Sequence, residues 1–219
     1  MSARDDIFAA VRQGLTRGRD GTLPLRTADD IGAEAASLLA GLDQIRPDPA
    51  GPDPVSAFIE KCANPVLGVT LDRVAGWQNL PAAVAAYLDR NDLPRRLAVT
   101  ADPRLAGLAE AGIEPHDSCA PDEDAAISVA LWGIAETGSV VIHSAPDQPV
   151  LNALLPRHWL VVVEEARVLP WLEDYATYAA ARPRNAVMIT GASGTTDIEG
   201  YFVRGAHGPG SVHVLLIGA

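Results

Sequence analysis

Two runs late in the chain, LVVV at 160–163 and VLLI at 214–217, offer no polar side chain to either face of a strand. A strand with one wet face alternates apolar and polar residues, so uninterrupted runs like these belong in a sheet covered on both sides. Double cover implies a layer on each face, and with it parallel pairing and crossover connections.

The rest of the pattern supplies that cover. Residues 55–63 and 80–93 carry helical apolar spacing, with Pro81 in a first turn where its missing N–H costs nothing. Asp102 is placed to cap a helix over 103–111 that Gly112 stops. A further helix follows Pro170. Strand candidates lie at 65–70, 96–100, 139–144, 159–168, 186–190 and 211–218. Residues 113–124 read as an acidic loop or a weak strand, and 124–134 as either helix or strand. This alternation predicts an α/β domain on a mainly parallel sheet flanked by helices.

Ahead of it lies a different kind of sequence. Residues 2–15 set Ile7, Phe8, Val11 and Leu15 on one helical side, and 29–42 do the same with Ile31, Ala35, Leu38, Leu39 and Leu42. The stretch RPDPAGPDP at 46–54 is too rich in Pro, Asp and Gly for regular structure. The boundary falls there, giving an N-terminal helical arm and linker over 1–47 and the α/β domain over 48–219.

With 219 residues, 48% hydrophobic and 21% charged, the chain can bury a substantial core. Its net charge of -11 and the lack of a Lys/Arg cluster argue against nucleic acid as a partner. The two cysteines, Cys62 and Cys119, lie far apart and form no CxxC pair, so neither a metal nor an iron–sulfur cluster is expected in this chain. No apolar run approaches the roughly 18 residues of a membrane span. The opening MSARDDIFAAVRQGL lacks the apolar core of a secretory leader, so a cytoplasmic location is expected.

The densest stretch is GASGTTDIEGYFVRGAHGP, residues 191–209. It follows a strand expected to be buried at 186–190. Thr196 and Glu199 match a capping box, which predicts a short helix bearing Ile198, Tyr201 and Phe202 and ending at Gly205. That arrangement would aim backbone N–H groups at an anion from the carboxyl end of a strand, where open α/β sheets bind ligands. Gly191, Ser193, Thr195, Asp197 and Glu199 are the ligand candidates, although a turn and a cap explain the same residues. His207, between glycines, is a candidate acid, base or anion ligand, or else a turn histidine bonded to a carbonyl. His143, His158 and His213 read as packed strand residues. A second candidate is the turn Glu136-Thr137-Gly138-Ser139. Glu136 has the chemistry of a nucleophile or base, or is an exposed turn acid, and Thr137 and Gly138 would contact a ligand beside it.

In order, AETGSVVI, LPRHWLVVVEEARVLP and ITGASGTTDIEGYFVRGAHGPGSVHVLLIG resemble the lactate-utilization protein C family, members of the LUD domain group, over roughly residues 55–218. Where that family usually has Gly-Pro-Ser, this chain has Gly191-Ala192-Ser193, and Gly194 stands where a basic residue is common. The resemblance implies a fold like the NagB/RpiA/CoA-transferase superfamily. It also implies a subunit, itself without a cluster, of a bacterial system that oxidises L-lactate to pyruvate, with iron–sulfur clusters in Cys-rich partner proteins. The alternatives are a free-standing small-molecule enzyme of the same fold and a regulatory module that binds a small carboxylate.

Overall fold

The computed structural model describes residues 3–15, 26–41, 46, 53–117, 119–178 and 183–218. The chain divides into two compact units, Met1–Arg46 and Pro47–Ala219. The first holds helices α1 (Ala3–Leu15) and α2 (Ala28–Ala40), where the two amphipathic patterns lie. A capping box starts α2: Thr27 Oγ1 accepts from the Asp30 N–H at 3.1 Å, and the Asp30 carboxylate accepts from the Thr27 N–H at 2.9 Å. The apolar residues Ile7, Phe8 and Val11 of α1, and Ile31, Leu38 and Leu39 of α2, are exposed. Leu42 and most of the Pro-rich linker lie outside the described residues.

In the second unit Asp53 caps helix α3 (Pro54–Cys62), and strand β1 (Val69–Val74) follows. Helix α4 (Leu80–Arg90) leads to β2 (Arg96–Val99), β3 (Glu114–His116) and β4 (Ala125–Val129). With β7 (His158–Glu164) and β12 (Ser211–Ile217) these strands form a six-stranded sheet in the order β1-β12-β7-β4-β2-β3. Every pairing in it is parallel. The protein is thus α/β, built on a mainly parallel sheet flanked by helices.

The two apolar runs lie side by side at its centre, with Val214, Leu215 and Leu216 opposite Val161, Val162 and Val163. Their side chains divide between two cores, which is why neither run alternates. Leu160, Val162, Leu215 and Ile217 pack under α4 with Leu80, Val84 and Leu88. Trp159, Val161, Val163, Val214 and Leu216 face α3 with Ala57 and Phe58. That second core is closed by a smaller mixed sheet of β5 (Trp132–Ile134), β6 (Ser139–His143), β8 (Val168–Leu169) and β9 (Ala186–Ile189), in the order β8-β5-β6-β9.

Several expectations change. The ambiguous 124–134 segment is two strands, β4 and β5. The helix over 103–111 is a 3-10 helix; Asp102 caps it as expected, and Gly112 ends it at φ +75°. The first strand begins at Val69, later than expected, because Asn64–Gly68 is folded into turns: the Leu67 N–H donates to the Asn64 carbonyl and Gly68 adopts φ +61°. The 159–168 strand is broken by a 3-10 turn at Glu165–Arg167. Helix α5 (Leu172–Tyr178) starts two residues after Pro170.

The strand at 186–190 is not buried. As β9 it is the edge of the small sheet, with half-buried residues alternating with exposed ones, because it has a partner on one side only. The helix expected over 196–202 is absent. In its place β10 (Gly194–Thr196) pairs antiparallel with β11 (Phe202–Arg204). Asp197 decides this: its Oδ1 accepts from the N–H groups of Glu199 and Tyr201, at 3.0 and 2.8 Å, which folds the chain back on itself. Gly200, at φ +87°, completes the turn. Glu199 is spent on the turn rather than on closing a cap.

Leu215 is fully buried between α4 and the sheet. Leu215→Ala is expected to cost about 2–5 kcal/mol in urea unfolding, as deletions of buried leucine side chains do. Ile198→Ala, at the fully exposed hairpin tip, should leave the unfolding midpoint unchanged.

Candidate functional site

The two stretches singled out in the sequence converge on Leu67, in the turn before β1. The Ala192 N–H donates to the Leu67 carbonyl at 2.7 Å, and a Cβ on Gly191 (φ +83°) would strike the Leu67 backbone. Gly138 (φ +70°) sits beside Leu67 and Lys61; a Cβ there would come to 3.1 Å from Lys61 Cβ. A hydroxyl chain joins the loops: Thr137 Oγ1 lies 2.7 Å from Ser139 Oγ, which lies 2.5 Å from Thr190 Oγ1. Thr137, Gly138 and Gly191 are therefore brought together, and their geometry is that of close packing.

The other candidates are dispersed. Glu136 Oε2 accepts from the Leu172 N–H at 3.2 Å, and the Glu136 N–H donates to the Pro170 carbonyl at 3.0 Å, so this residue anchors the start of α5. The Ser193 N–H donates to the Pro209 carbonyl at 2.8 Å, and its carbonyl accepts from the Gly205 N–H. Thr195 is a half-buried residue of β10, Asp197 holds the hairpin turn, and Glu199 and His207 are exposed.

The loop at 191–210 also lies at a different edge of the sheet from the one expected. Ser193 meets Pro209, two residues before β12 begins, and Ala192 meets Leu67, two residues before β1 begins. Both contacts are at the amino ends of parallel strands. The carboxyl-end argument fails because the preceding strand, β9, belongs to the small sheet and runs antiparallel to β6.

At this amino edge the structure assembles a polar cluster that sequence reasoning missed. His213 is fully buried in β12. Its Nδ1 lies 2.7 Å from Thr70 Oγ1, and the Tyr87 ring from α4 stacks on it at 4.2 Å between centroids. Its Nε2 approaches Asp72 Oδ2 at 3.4 Å without making a formed hydrogen bond, and Arg90 pairs with the same carboxylate oxygen at 3.0 Å. Tyr87 Oη in turn lies 2.9 Å from His158 Nδ1.

Burial dominates the ionisation of this cluster. It pushes His213 down to about 4, against the opposing pull of Asp72 and with help from the Arg90 charge. It pushes Tyr87 up to about 12, and it lowers His158, where Asp124 opposes it. Both histidines are thus neutral at pH 7 and able to hydrogen-bond as donor and acceptor.

A cavity of about 340 Å³ opens beside the cluster, lined by Gly68, Thr70, Asp72, Tyr87, Arg90 and Ser211 among others. A second, of about 390 Å³, shares Ser211 and continues past Arg157, His158, Arg204 and three glycines. At the carboxyl edge, by contrast, Arg104 is already paired with Asp102 and Glu164. The signal for the cluster was present in sequence as one histidine in an otherwise apolar strand, and as a tyrosine on the apolar face of a helix. Their partners are too far away along the chain for spacing to reveal them.

Among the described residues no group of three or more His, Cys, Asp or Glu is placed to hold a metal ion, and no helix is long and apolar enough to cross a membrane.

An α/β protein with a parallel sheet, a small mixed sheet and two adjoining cavities at the amino edge is the class of molecule this geometry defines. Residues 119–217 match the LUD domain, in agreement with the resemblance of the C-terminal motifs. It is 30% identical to lactate utilization protein C of Deinococcus radiodurans over 43% of this chain and 47% of that protein. It is 33% identical to lactate utilization protein C of Geobacillus thermodenitrificans, over 40% of each. An uncharacterized protein of Neisseria meningitidis is 29% identical over 51% of this chain and 54% of its own length. The chain thus spans about half the length of the relatives it matches. A crystal structure of a DUF162 family protein from Deinococcus radiodurans has the same fold, with a TM-score of 0.54 at 20% identity, covering 76% of this chain and 99% of that one.

A histidine with a pKa near 4 in the fold and near 6.5 when unfolded binds its proton more readily in the unfolded chain. Its contribution to stability is complete above pH 6.5 and drains away as the pH falls towards 4. In urea unfolding between pH 7 and pH 4.5, the wild-type chain should therefore lose stability more steeply than His213→Gln.

Proposed function

We propose that this chain acts in bacterial L-lactate utilization, as a subunit, without a cluster of its own, of an iron–sulfur-dependent system that oxidises lactate to pyruvate. One observation carries the reading: residues 119–217 match the LUD domain, and relatives matched over the same kind of span are named lactate utilization protein C. Its cysteine content supports the second half. A cluster normally takes four thiolates, and this chain has two cysteines. Burial pushes the Cys62 thiol up to about 12 and the Cys119 thiol up to about 11, so neither is a ready thiolate at pH 7. The clusters, on this reading, sit in partner proteins, and this chain contributes binding and positioning. Placement of Glu136 at the start of α5 lends no support to a free-standing transferase that uses it as nucleophile.

Deleting the coding sequence from its host should abolish growth on L-lactate, leave growth on glucose intact, and be reversed by the wild-type copy. Tagged protein recovered without oxygen from lactate-grown cells should bring down partners with iron–sulfur absorption. Undiminished growth of the deletion strain on L-lactate would overturn the proposal.

A further inference from the structure

In this acidic chain most described arginines of the α/β unit are already neutralised. Arg73, Arg90, Arg95, Arg96 and Arg104 each meet a carboxylate. Arg167 lies over the Trp132 ring and Arg184 lines a separate depression. Arg157 and Arg204 have no ion pair among the described residues, and both line the same groove, the 390 Å³ cavity at the amino ends of β7 and β12. Two arginines without an ion pair line one concave surface with a single carboxylate, Asp122, so in a chain of net charge -11 the local charge is opposite in sign to that of the protein as a whole.

Arg204 extends from this groove to Gly68, which lines the neighbouring 340 Å³ cavity, and three glycines keep the groove free of side chains. The Arg204 guanidinium occupies the space that a side chain at Gly68 would fill, and it lies 5.5 Å from the Phe202 ring centroid. Gly205 and Gly210 pack backbone against backbone: a Cβ on Gly205 would lie 3.1 Å from Gly210 Cα. A Cβ on Gly208 would lie 3.3 Å from that of Ser193. No side chain from these three positions enters the groove. His158 lines the same wall, its Nδ1 engaged by Tyr87 Oη at 2.9 Å, and its Nε2 has no hydrogen-bond partner among the described residues. Ser211 adds a hydroxyl-bearing residue to the lining, and Asp122 stands in it as a carboxylate.

We propose that this groove binds the oxyanion group of a small ligand, a carboxylate or a phosphate, between Arg157 and Arg204, with His158 Nε2 as a hydrogen-bonding partner beside them. Planar guanidinium groups match both anions through paired N–H donors. The cavity volume suits a small molecule rather than a polymer. A neutral imidazole fixed through Nδ1 presents one nitrogen to the ligand in a set orientation. The site is independent of the lactate reading, which stands or falls on growth.

Titration calorimetry on the full chain, in buffer free of phosphate and sulfate, tests this with L-lactate, pyruvate and inorganic phosphate as separate titrants. At least one should bind at a single saturable site, and which of them does so separates an organic acid from a phosphorylated ligand. Arg204→Ala and Arg157→Ala should each weaken that binding by roughly ten- to a hundredfold, the loss of a charge-assisted hydrogen bond. Asp122→Asn should strengthen it by about twofold or more, since it removes the opposing charge. The exposed Arg157 makes no side-chain hydrogen bond or ion pair among the described residues, so its variant reads the site even if Arg204→Ala disturbs the fold. No heat with any of the three anions, equal affinity in both arginine variants, or weaker binding in Asp122→Asn would overturn the proposal.

Discussion

The insertion of β12 between β1 and β7 is the constraint on which the rest of the structure depends. A strand from late in the sequence separates one from early in it and one from the middle, and pairs in parallel with both. Each of its two faces closes a different core, so nearly every position must be apolar. His213 is the exception among its buried positions, and its burial is tolerated because the register of β1 puts Thr70 directly opposite it while α4 lays Tyr87 across it. Strand register and helix docking thus fix one polar network between them. A shift of either would leave an imidazole buried without partners, at a cost of about 1–3 kcal/mol or more.

The same insertion determines where the open space lies. Helix α4 returns antiparallel to the strands and ends at Arg90 beside the start of β1, leaving one cavity between them. The loop entering β12 crosses the entry to β7 and leaves the second. The hydroxyl and glycine residues at 137–139 and 190–192 lie next to this region through Leu67, where they clamp the small sheet to the turn before β1. They support the edge that carries these two cavities, whereas the arginines, His158 and Tyr87 line them.

How much of this was legible in the sequence follows from the range of each interaction. The doubly buried strands announced themselves through LVVV and VLLI, because burial on two faces needs no partner to be recognised. The caps at Thr27, Asp53 and Asp102 act over two or three residues, and the one at Asp102 falls where local pattern predicts it. The hairpin at 194–204 misled because Thr196 and Glu199 satisfy a capping rule while Asp197, between them, satisfies a turn rule. Spacing alone does not say which of two local solutions the rest of the fold prefers. The partition into two sheets was not visible, since a β-rich segment carries no mark of the strand it will join. The polar cluster was the least legible part, because Thr70, Tyr87, His158 and His213 are united only by tertiary structure, and each alone reads as an ordinary packed residue.

The place of Arg204 over Gly68 has a consequence for how such a chain can change over generations. The two positions are remote in sequence but share one volume, so a β-carbon at 68 and a guanidinium at 204 are mutually exclusive in this arrangement. A lineage that gained a side chain at 68 would have to move or lose the arginine, whereas one that lost the arginine would gain the space but still face the φ of +61° that favours glycine there. Substitution at these two sites is therefore ordered. Arginine can be abandoned first with little penalty to the fold, but glycine cannot be replaced first without displacing the charge.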